Sequence, residues 1–479
     1  MTVVPFPQAA DSHGDAPRPK IRHHYRRHAP KKAPCPQCGQ RAPRKARHQR
    51  TVRSIAYQAI LVLHVTTAEY RATCHCCVTF RTQIEGIAPK AHYDHRVREA
   101  VLDRLLDDRM SVQQIQRAMH RDFFLDLSDG FLYDCLDWKI RQLDGAAYRQ
   151  WTLEQLSGTL CIDEIHLGQH TLLLATDPLH DFPVAFALVS SNDQEHLGRF
   201  LRQLQRHGFQ PQVVVTDGSS LYPAVLAAVW PQAEHQLCVF HVVKDVNEHV
   251  LDAVRRLRRE MQRRGCRGRK RKAGRPKQQA ARRQQRRKLK DKAQFVYKHR
   301  HLLVKRPEKL TTKEKKDLTQ LLEDAPRLRV VQNCVTEVYR LFERGQTEAT
   351  AWRRHALLLG NASYGTVPEL AAALQLLAAA KFTKMIAFLR SRVGYRVRTN
   401  NHVERMNRVL RLYEKSRYKW RRARTKVRFV WLLVERRWGE RARTETQRPS
   451  RGAGKATGRE RQPHPALKDL SAAEERRVA

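Results

Sequence analysis

Five short apolar runs crowded into residues 158–238 constrain this chain more than any other feature: LCIDEIHL, TLLLATD, VAFALVS, VVVTD and EHQLC. Each has the length of a strand, and most carry too little alternation to leave one face in water. Only short polar turns separate the first three. Helical patterns lie between the third and fourth and between the fourth and fifth. The first of these helical patterns is announced by Ser191-Asn192-Asp193-Gln194-Glu195, which reads as a capping box with Asn192 as N-cap and Glu195 at N3. Consecutive strands can pair as hairpins, whereas a strand–helix–strand connection suits parallel partners. The order predicts an α/β fold built on a mixed five-stranded sheet, half hairpin-connected and half parallel.

Three acids stand out against this frame. Asp163 ends the run Leu160-Cys161-Ile162, Asp217 ends Val213-Val214-Val215, and Glu404 lies in the helix-like segment RTNNHVERMNRVLR. Strand tips and a helix are rigid supports that can bring distant carboxylates together. Oxygen donors suit hard divalent cations, and two such ions about 4 Å apart clamp the attacking and leaving oxygens in phosphoryl transfer. Glu164, or Asp177 at the end of the next run, stands as an alternative to Asp163. Cys238 and His241 follow the fifth run; a metal half-site there is less expected than a His241 that hydrogen-bonds phosphate or a catalytic Asp, with Cys238 packed at the strand end.

Charge narrows the partner. Lys and Arg number 92 against 47 Asp and Glu in 479 residues, a formal net charge of +45. Such a balance favours nucleic acid, because neutralising phosphates releases counterions. No apolar run approaches the ~18 residues of a membrane span, and MTVVPFPQAADSHGD lacks a signal-peptide layout. A cytoplasmic, nucleoid-associated protein without a membrane partner is expected, with its ten cysteines as thiols or metal ligands.

The remaining chain divides by texture. Residues 1–33 read as a flexible basic arm and 34–90 as a zinc-binding module. In that module Cys35, Cys38, Cys74 and Cys77 form two Cys-x-x-Cys turns around one structural Zn²⁺. Cys76 could replace Cys77, or His75 take part. The stretch IAYQAILVLHV supplies its strands, and Arg41, Arg44, Lys45, Arg47 and Arg50 point to DNA contact. Residues 91–148 carry a helix-turn-helix rhythm: Ser111 caps VQQIQRAMHRDF, and FLYDCLDWKIRQL would enter a DNA groove, although Asp134 and Asp137 would repel phosphate. Residues 155–245 hold the sheet and 246–395 a basic and helical insertion. Within the insertion, residues 255–292 bear 20 Lys or Arg and read as a solvated loop or polar helix. Gly274-Arg275-Pro276 there matches the core of an AT-hook, making Arg275 a candidate DNA contact. Trp352 reads as core sooner than as a base-stacking platform. Residues 396–438 close the sheet domain with the Glu404 helix, and 439–479 read as a disordered tail. On that helix Asn400 and Asn401 could orient Glu404 or touch DNA, while Arg405, Arg408 and Arg411, with Lys415, Arg417, Lys419, Arg421 and Arg422 beyond, read as phosphate contacts.

The segments CIDEIHL, VVVTDGSSLYPAVL, CVFHVVKDV and TNNHVERMNRVLR resemble those of bacterial insertion-sequence DDE transposases. The likeness extends over about residues 35–435. In the subgroup with a helical insertion before the last acid, a Cys or Asp followed two residues later by His comes after the second acid, matched by Cys238 and His241. An Asn pair before the third acid is matched by Asn400, Asn401 and Glu404. The very basic segment 255–292 departs from the pattern. The resemblance implies a ribonuclease H-like core, with Asp163, Asp217 and Glu404 holding two Mg²⁺ (or Mn²⁺) and His241 assisting. It implies double-stranded DNA as partner, both terminal inverted repeats and target, and a homodimer or higher oligomer. The expected reaction is cleavage at the element end followed by direct strand transfer. A structure-specific nuclease on the same core and a DNA-binding regulator derived from a transposase are the competing readings.

Overall fold

The computed structural model of the protein describes residues 19–266, 276–391, 393–416 and 421–446. Strands β1 (Lys20–His28), β2 (Lys32–Pro34), β3 (Arg41–Ala56), β4 (Ala59–Arg71) and β5 (Thr79–Arg81) come first, followed by helices α1 (His95–Leu106), α2 (Val112–Phe123), α3 (Asp129–Ile140) and α4 (Gly145–Glu154). Next come β6 (Thr159–Leu167), β7 (His170–Asp177), β8 (Phe182–Val189), α5 (Gln194–Arg206), β9 (Val213–Thr216), α6 (Tyr222–Val229) and β10 (Glu234–Leu237). The insertion is helical throughout its described residues. It opens with α7 (Val239–Cys266) and α8 (Pro276–Lys298), and continues with α9 (Thr312–Asp324), α10 (Leu328–Leu341), α11 (Glu348–Gly360), α12 (Ala362–Gly365), α13 (Pro368–Gln375) and α14 (Ala379–Met385). After the insertion come α15 (Asn401–Ser416) and α16 (Ala423–Val434), and a short helix, Glu440–Thr446, ends the described residues. Among the described residues, no helix is long and apolar enough to cross a membrane.

The chain separates into two compact units, Met1–Gly145 with Val409–Glu440, and Ala146–Arg408 with Arg441–Ala479. The second unit carries the expected sheet, in the order β10-β9-β6-β7-β8. β6, β7 and β8 pair antiparallel, while β9 and β10 run parallel to β6. That is the mixed ribonuclease H-like arrangement, and its strands are legible because both faces are buried. The capping residue differs from expectation. Asp193, not Asn192, takes the N-cap of α5 and accepts the His196 N–H, leaving Asn192 free to donate to Glu164 at 3.2 Å. The insertion packs around α7, α10 and α13 on a core of Val, Leu and Phe, in which Trp352 is half-buried edge-on against Phe382. The segment 255–292 is two helices where it is described, not a loop. Gly274 and Arg275 lie outside the described residues.

Gln236, fully buried at the sheet edge, joins sheet and insertion: its amide donates to Met385 O at 2.8 Å and accepts from Phe388 N at 2.7 Å.

The first unit holds a second sheet, ordered β1-β4-β3-β2 with β5 beside β4. Its long hairpin, β3–β4, runs far into the charged text RAPRKARHQR, and Gln58 turns it with φ of 53°. Residues 20–28, expected within a flexible arm, instead form a strand parallel to β4. All nine are exposed; backbone pairing with β4 and the contacts of His23 and Tyr25 with His64 hold them, and no apolar face announces the strand. A second difference concerns Val409–Glu440, expected to finish the catalytic domain. It clusters with the first unit: α16 packs on α3, where Arg428 pairs with Asp137, and Tyr413 donates to Leu106 O. The tail also begins later than expected, since Glu440–Thr446 is helical and Glu445 accepts the Trp151 indole N–H at 3.0 Å.

Replacing Gln236 with Leu keeps the volume but strands a buried carbonyl and a buried N–H. A loss of about 2–4 kcal/mol is expected, read as a lower denaturation midpoint.

Candidate functional site

Register places the first two acids side by side. β9 pairs with β6 through Thr159↔Val213, Leu160↔Val214 and Cys161↔Val215. Continuing two residues along both chains brings Asp163 level with Asp217. Asp163 is not at a strand tip as expected, because β6 runs on to Leu167 in its hairpin with β7; it is β9 that ends there. Asp217 closes the turn after β9 by accepting the Ser219 N–H at 2.9 Å.

The two alternatives to Asp163 find other work. Asp177 lies at the far end of the hairpin, fully buried, and accepts hydrogen bonds from Ser157, Leu179 and His180. Glu164 accepts from Tyr222 Oη and Asn192.

The third acid arrives on α15, whose start is bolted to the sheet. Asn400 N–H donates to Cys238 Sγ at 3.2 Å, and Asn400 Nδ2 donates to Ile162 O at 3.1 Å, one residue before Asp163. Val239 N–H donates to Arg398 O at 2.9 Å. One turn past Glu404, Asn407 Nδ2 donates to Asp163 Oδ2 at 2.8 Å. His402 meets Asp181 at 2.6 Å on the other side of the helix start. Asn400 was expected among the DNA contacts; it is fully buried and serves as the bolt. Asn401 is exposed. Arg405 is exposed and lies 3.7 Å from Asp181, and Arg408 and Arg411 are exposed as well. Arg417 and Lys419 lie outside the described residues.

Convergence of the acids shows in their electrostatics. Burial, then the charges of Glu164, Asp217 and Glu404, push the Asp163 carboxyl up to about 7. Like charges this close resist ionisation unless a cation joins them. Glu404 Oε1 is buried without a hydrogen-bond partner, so one carboxylate oxygen waits for an occupant. Beside it, His241 Nε2 stands 3.7 Å from Glu404 Oε1, and Cys238 Sγ belongs to the same group. The donors fit divalent cations on these grounds. Asn407 was missed in the sequence. Its signal is weak but real: an amide at i+3 from Glu404 shares its helix face.

In the first unit, Cys35, Cys38, Cys74 and Cys76 bring their sulfurs within 4.8 Å of one another. The fourth member is Cys76 in place of the expected Cys77. The Cys77 N–H closes the turn onto Cys74 O with φ of 47°, and its thiol turns to that same carbonyl. The N–H groups of Cys38 and Gln37 hold the Cys35 thiol down to about 7, whereas burial and the neighbouring thiols push Cys76 up to about 12. The basic residues nearby divide. Arg44 and Arg50 donate to backbone carbonyls and Lys45 pairs with Glu69, whereas Arg41 and Arg47 make no such contact among those described.

Helices α2 and α3 form as expected, α2 with a capping box between Ser111 and Gln114. The acids that would repel phosphate are partly accounted for, since Arg428 and Arg424 face Asp137. A cleft of about 1310 Å³ opens beside α3, lined among others by Arg117, Tyr133, Arg421, Arg422 and Arg424.

One pH effect follows. The folded state favours the Asp163 proton, so its contribution to stability falls as pH rises from about 4 to about 7. Asp163→Asn removes that cost. The metal-free variant is expected to melt roughly 2–4 °C above the parent at pH 8, with the gain shrinking toward pH 5.

Comparison with known proteins places the chain in a family. The family model for transposases of the DDE, ISL3 type matches residues 160–425. No curated protein gives a match. Among solved structures, a Drosophila P element transposase strand transfer complex is 11% identical over 75% of this chain and 92% of that chain, with a TM-score of 0.33, too slight a likeness to add weight. The family match covers more than half of the chain and spans all three acids: the protein belongs to the ISL3-type DDE transposases, enzymes that cleave DNA and transfer its strands.

Proposed function

We propose that Asp163, Asp217 and Glu404 are the residues with which this transposase holds its divalent metals, with magnesium or manganese the ions that three carboxylates suit. The observation that carries this reading is geometric: β9 lies in parallel register beside β6 at Cys161↔Val215, two residues before Asp163 and Asp217, and Asn407 on the Glu404 helix donates to Asp163 Oδ2 at 2.8 Å. When bound, two such ions activate the attacking oxygen and neutralise the phosphoryl group. The chain's own residues set the geometry. Asn407 fixes one oxygen of Asp163, and its neutral amide does so without competing with a cation. The Asn400 and His402 contacts hold Glu404 at the sheet. His241, close to Glu404, is placed to donate to a phosphate oxygen. Water attacks first at the element end, and the freed 3′-hydroxyl then attacks the target, with no bond formed between protein and DNA. Joining two ends calls for at least a dimer.

The first unit is read as the part that binds terminal inverted repeats: the cysteine cluster as a structural zinc module, α1–α3 as the helical module, and the arginine-lined cleft beside α3 as a phosphate-binding face. The packing of α16 on α3 supports phosphate contact there over insertion of α3 into a groove.

Labelled inverted-repeat DNA incubated with a plasmid target and Mg²⁺ should become joined. Asp217→Asn should abolish joining, and Asn407→Ala should lower it by about 10–100-fold, partly restored by added metal. Cleavage without joining would leave a nuclease on the same core, and unimpaired processing by Asp217→Asn would leave these acids without a role. For DNA binding, Arg421→Ala combined with Arg424→Ala should weaken binding to all sequences and flatten the log–log salt dependence by about two.

A further inference from the structure

Two side chains beside Glu404 are of the wrong kind for magnesium. Cys238 Sγ, an imidazole nitrogen of His241 and a carboxylate oxygen of Glu404 all lie within 4.8 Å of one another. His241 Nδ1 and Glu404 Oε1 are both buried and lack hydrogen-bond partners. Cys238 immediately precedes the 28-residue helix α7, and the Asn400 N–H donates to its sulfur at 3.2 Å. One sulfur, one nitrogen and one oxygen make a donor set that prefers zinc and its softer relatives to magnesium or calcium. Three protein ligands with a fourth position open is an arrangement zinc accepts.

We propose that Cys238, His241 and Glu404 form a second metal site, selective for zinc-like cations, whose occupation withdraws Glu404 from the carboxylate cluster. Binding releases the Cys238 proton to solvent. The two sites share one ligand, so they compete: the enzyme works when hard cations hold Glu404 and stops when a soft one does. Strand transfer thereby becomes sensitive to free zinc even when magnesium is in large excess. The inhibitory consequence rests on the metal-binding role proposed for Glu404, whereas the binding site itself does not.

The test counts zinc in the full-length protein by native mass spectrometry after loading with a slight excess of Zn²⁺. Wild type should carry two ions, one of them in the Cys35–Cys38–Cys74–Cys76 cluster. Cys238→Ala and His241→Asn should each carry one, and Cys35→Ser should also carry one while keeping the second site. Either Cys238→Ala or His241→Asn suffices if the other misfolds by circular dichroism. A full complement of two zinc ions in both folded variants, or a single ion in wild type that Cys35→Ser removes, would overturn the proposal. In the joining assay, wild type in Mg²⁺ should be inhibited by added zinc, and His241→Asn should need roughly tenfold more zinc relative to its own zinc-free rate. Equal sensitivity would overturn the competitive link. Loss of joining in every protein with zinc counts intact would instead indict the catalytic assignment.

Discussion

A single buried amide decides where the last acid of this enzyme stands. Asn400 reaches Ile162 O with its side chain and Cys238 Sγ with its backbone, joining the central strand, the end of the edge strand and the first turn of α15. Breaking either bond would leave a buried polar group unpaired, so the position of α15 is set far more tightly than apolar packing alone would set it. Glu404 and Asn407 then follow from helical geometry: one turn apart, they face the same strand. The insertion can be long because nothing in it has to aim Glu404. It has only to return the chain to Asn400.

Against the chain's charge of +45, the site is a local reversal. Four carboxylates, counting Glu164, are gathered there, and burial with the charges of the other three raises the energy of ionised Asp163. Stability and function pull apart there. The neighbours Asn407, Asn192 and Tyr222 are all neutral hydrogen-bond donors, so they orient the acids without neutralising them. A lysine in any of these places would stabilise the metal-free fold and blunt its affinity for cations.

How much of this could be read in the sequence depended on what fixed each element. The catalytic sheet was legible because strands buried on both faces spell themselves in Val, Leu and Ile. Asp163 and Asp217 could be picked out for the same reason, although the tip belonged to β9 and not to β6. β1 could not be seen: a fully exposed, basic edge strand has no apolar signature. Cys76 against Cys77 and Asp193 against Asn192 turn on φ angles and side-chain direction, to which spacing is blind. Asn400 could be read either as orienting Glu404 or as touching DNA, because an amide serves equally well as a bolt or as a DNA contact. The partner of α3 was out of reach, since it lies some 290 residues downstream in α16.

That last contact has a consequence for how the molecule is made. The first unit contains both the amino-terminal residues and Val409–Glu440, so it cannot be completed on the ribosome until the whole catalytic chain has emerged. A polypeptide interrupted anywhere in the catalytic core or the insertion would keep β1–β5 and α1–α3 but lack Arg428, leaving Asp137 and the apolar flank of α3 uncovered. Truncated products would therefore carry an incomplete first unit. The order of the chain makes completion of the first unit dependent on prior synthesis of the whole second unit up to Arg408.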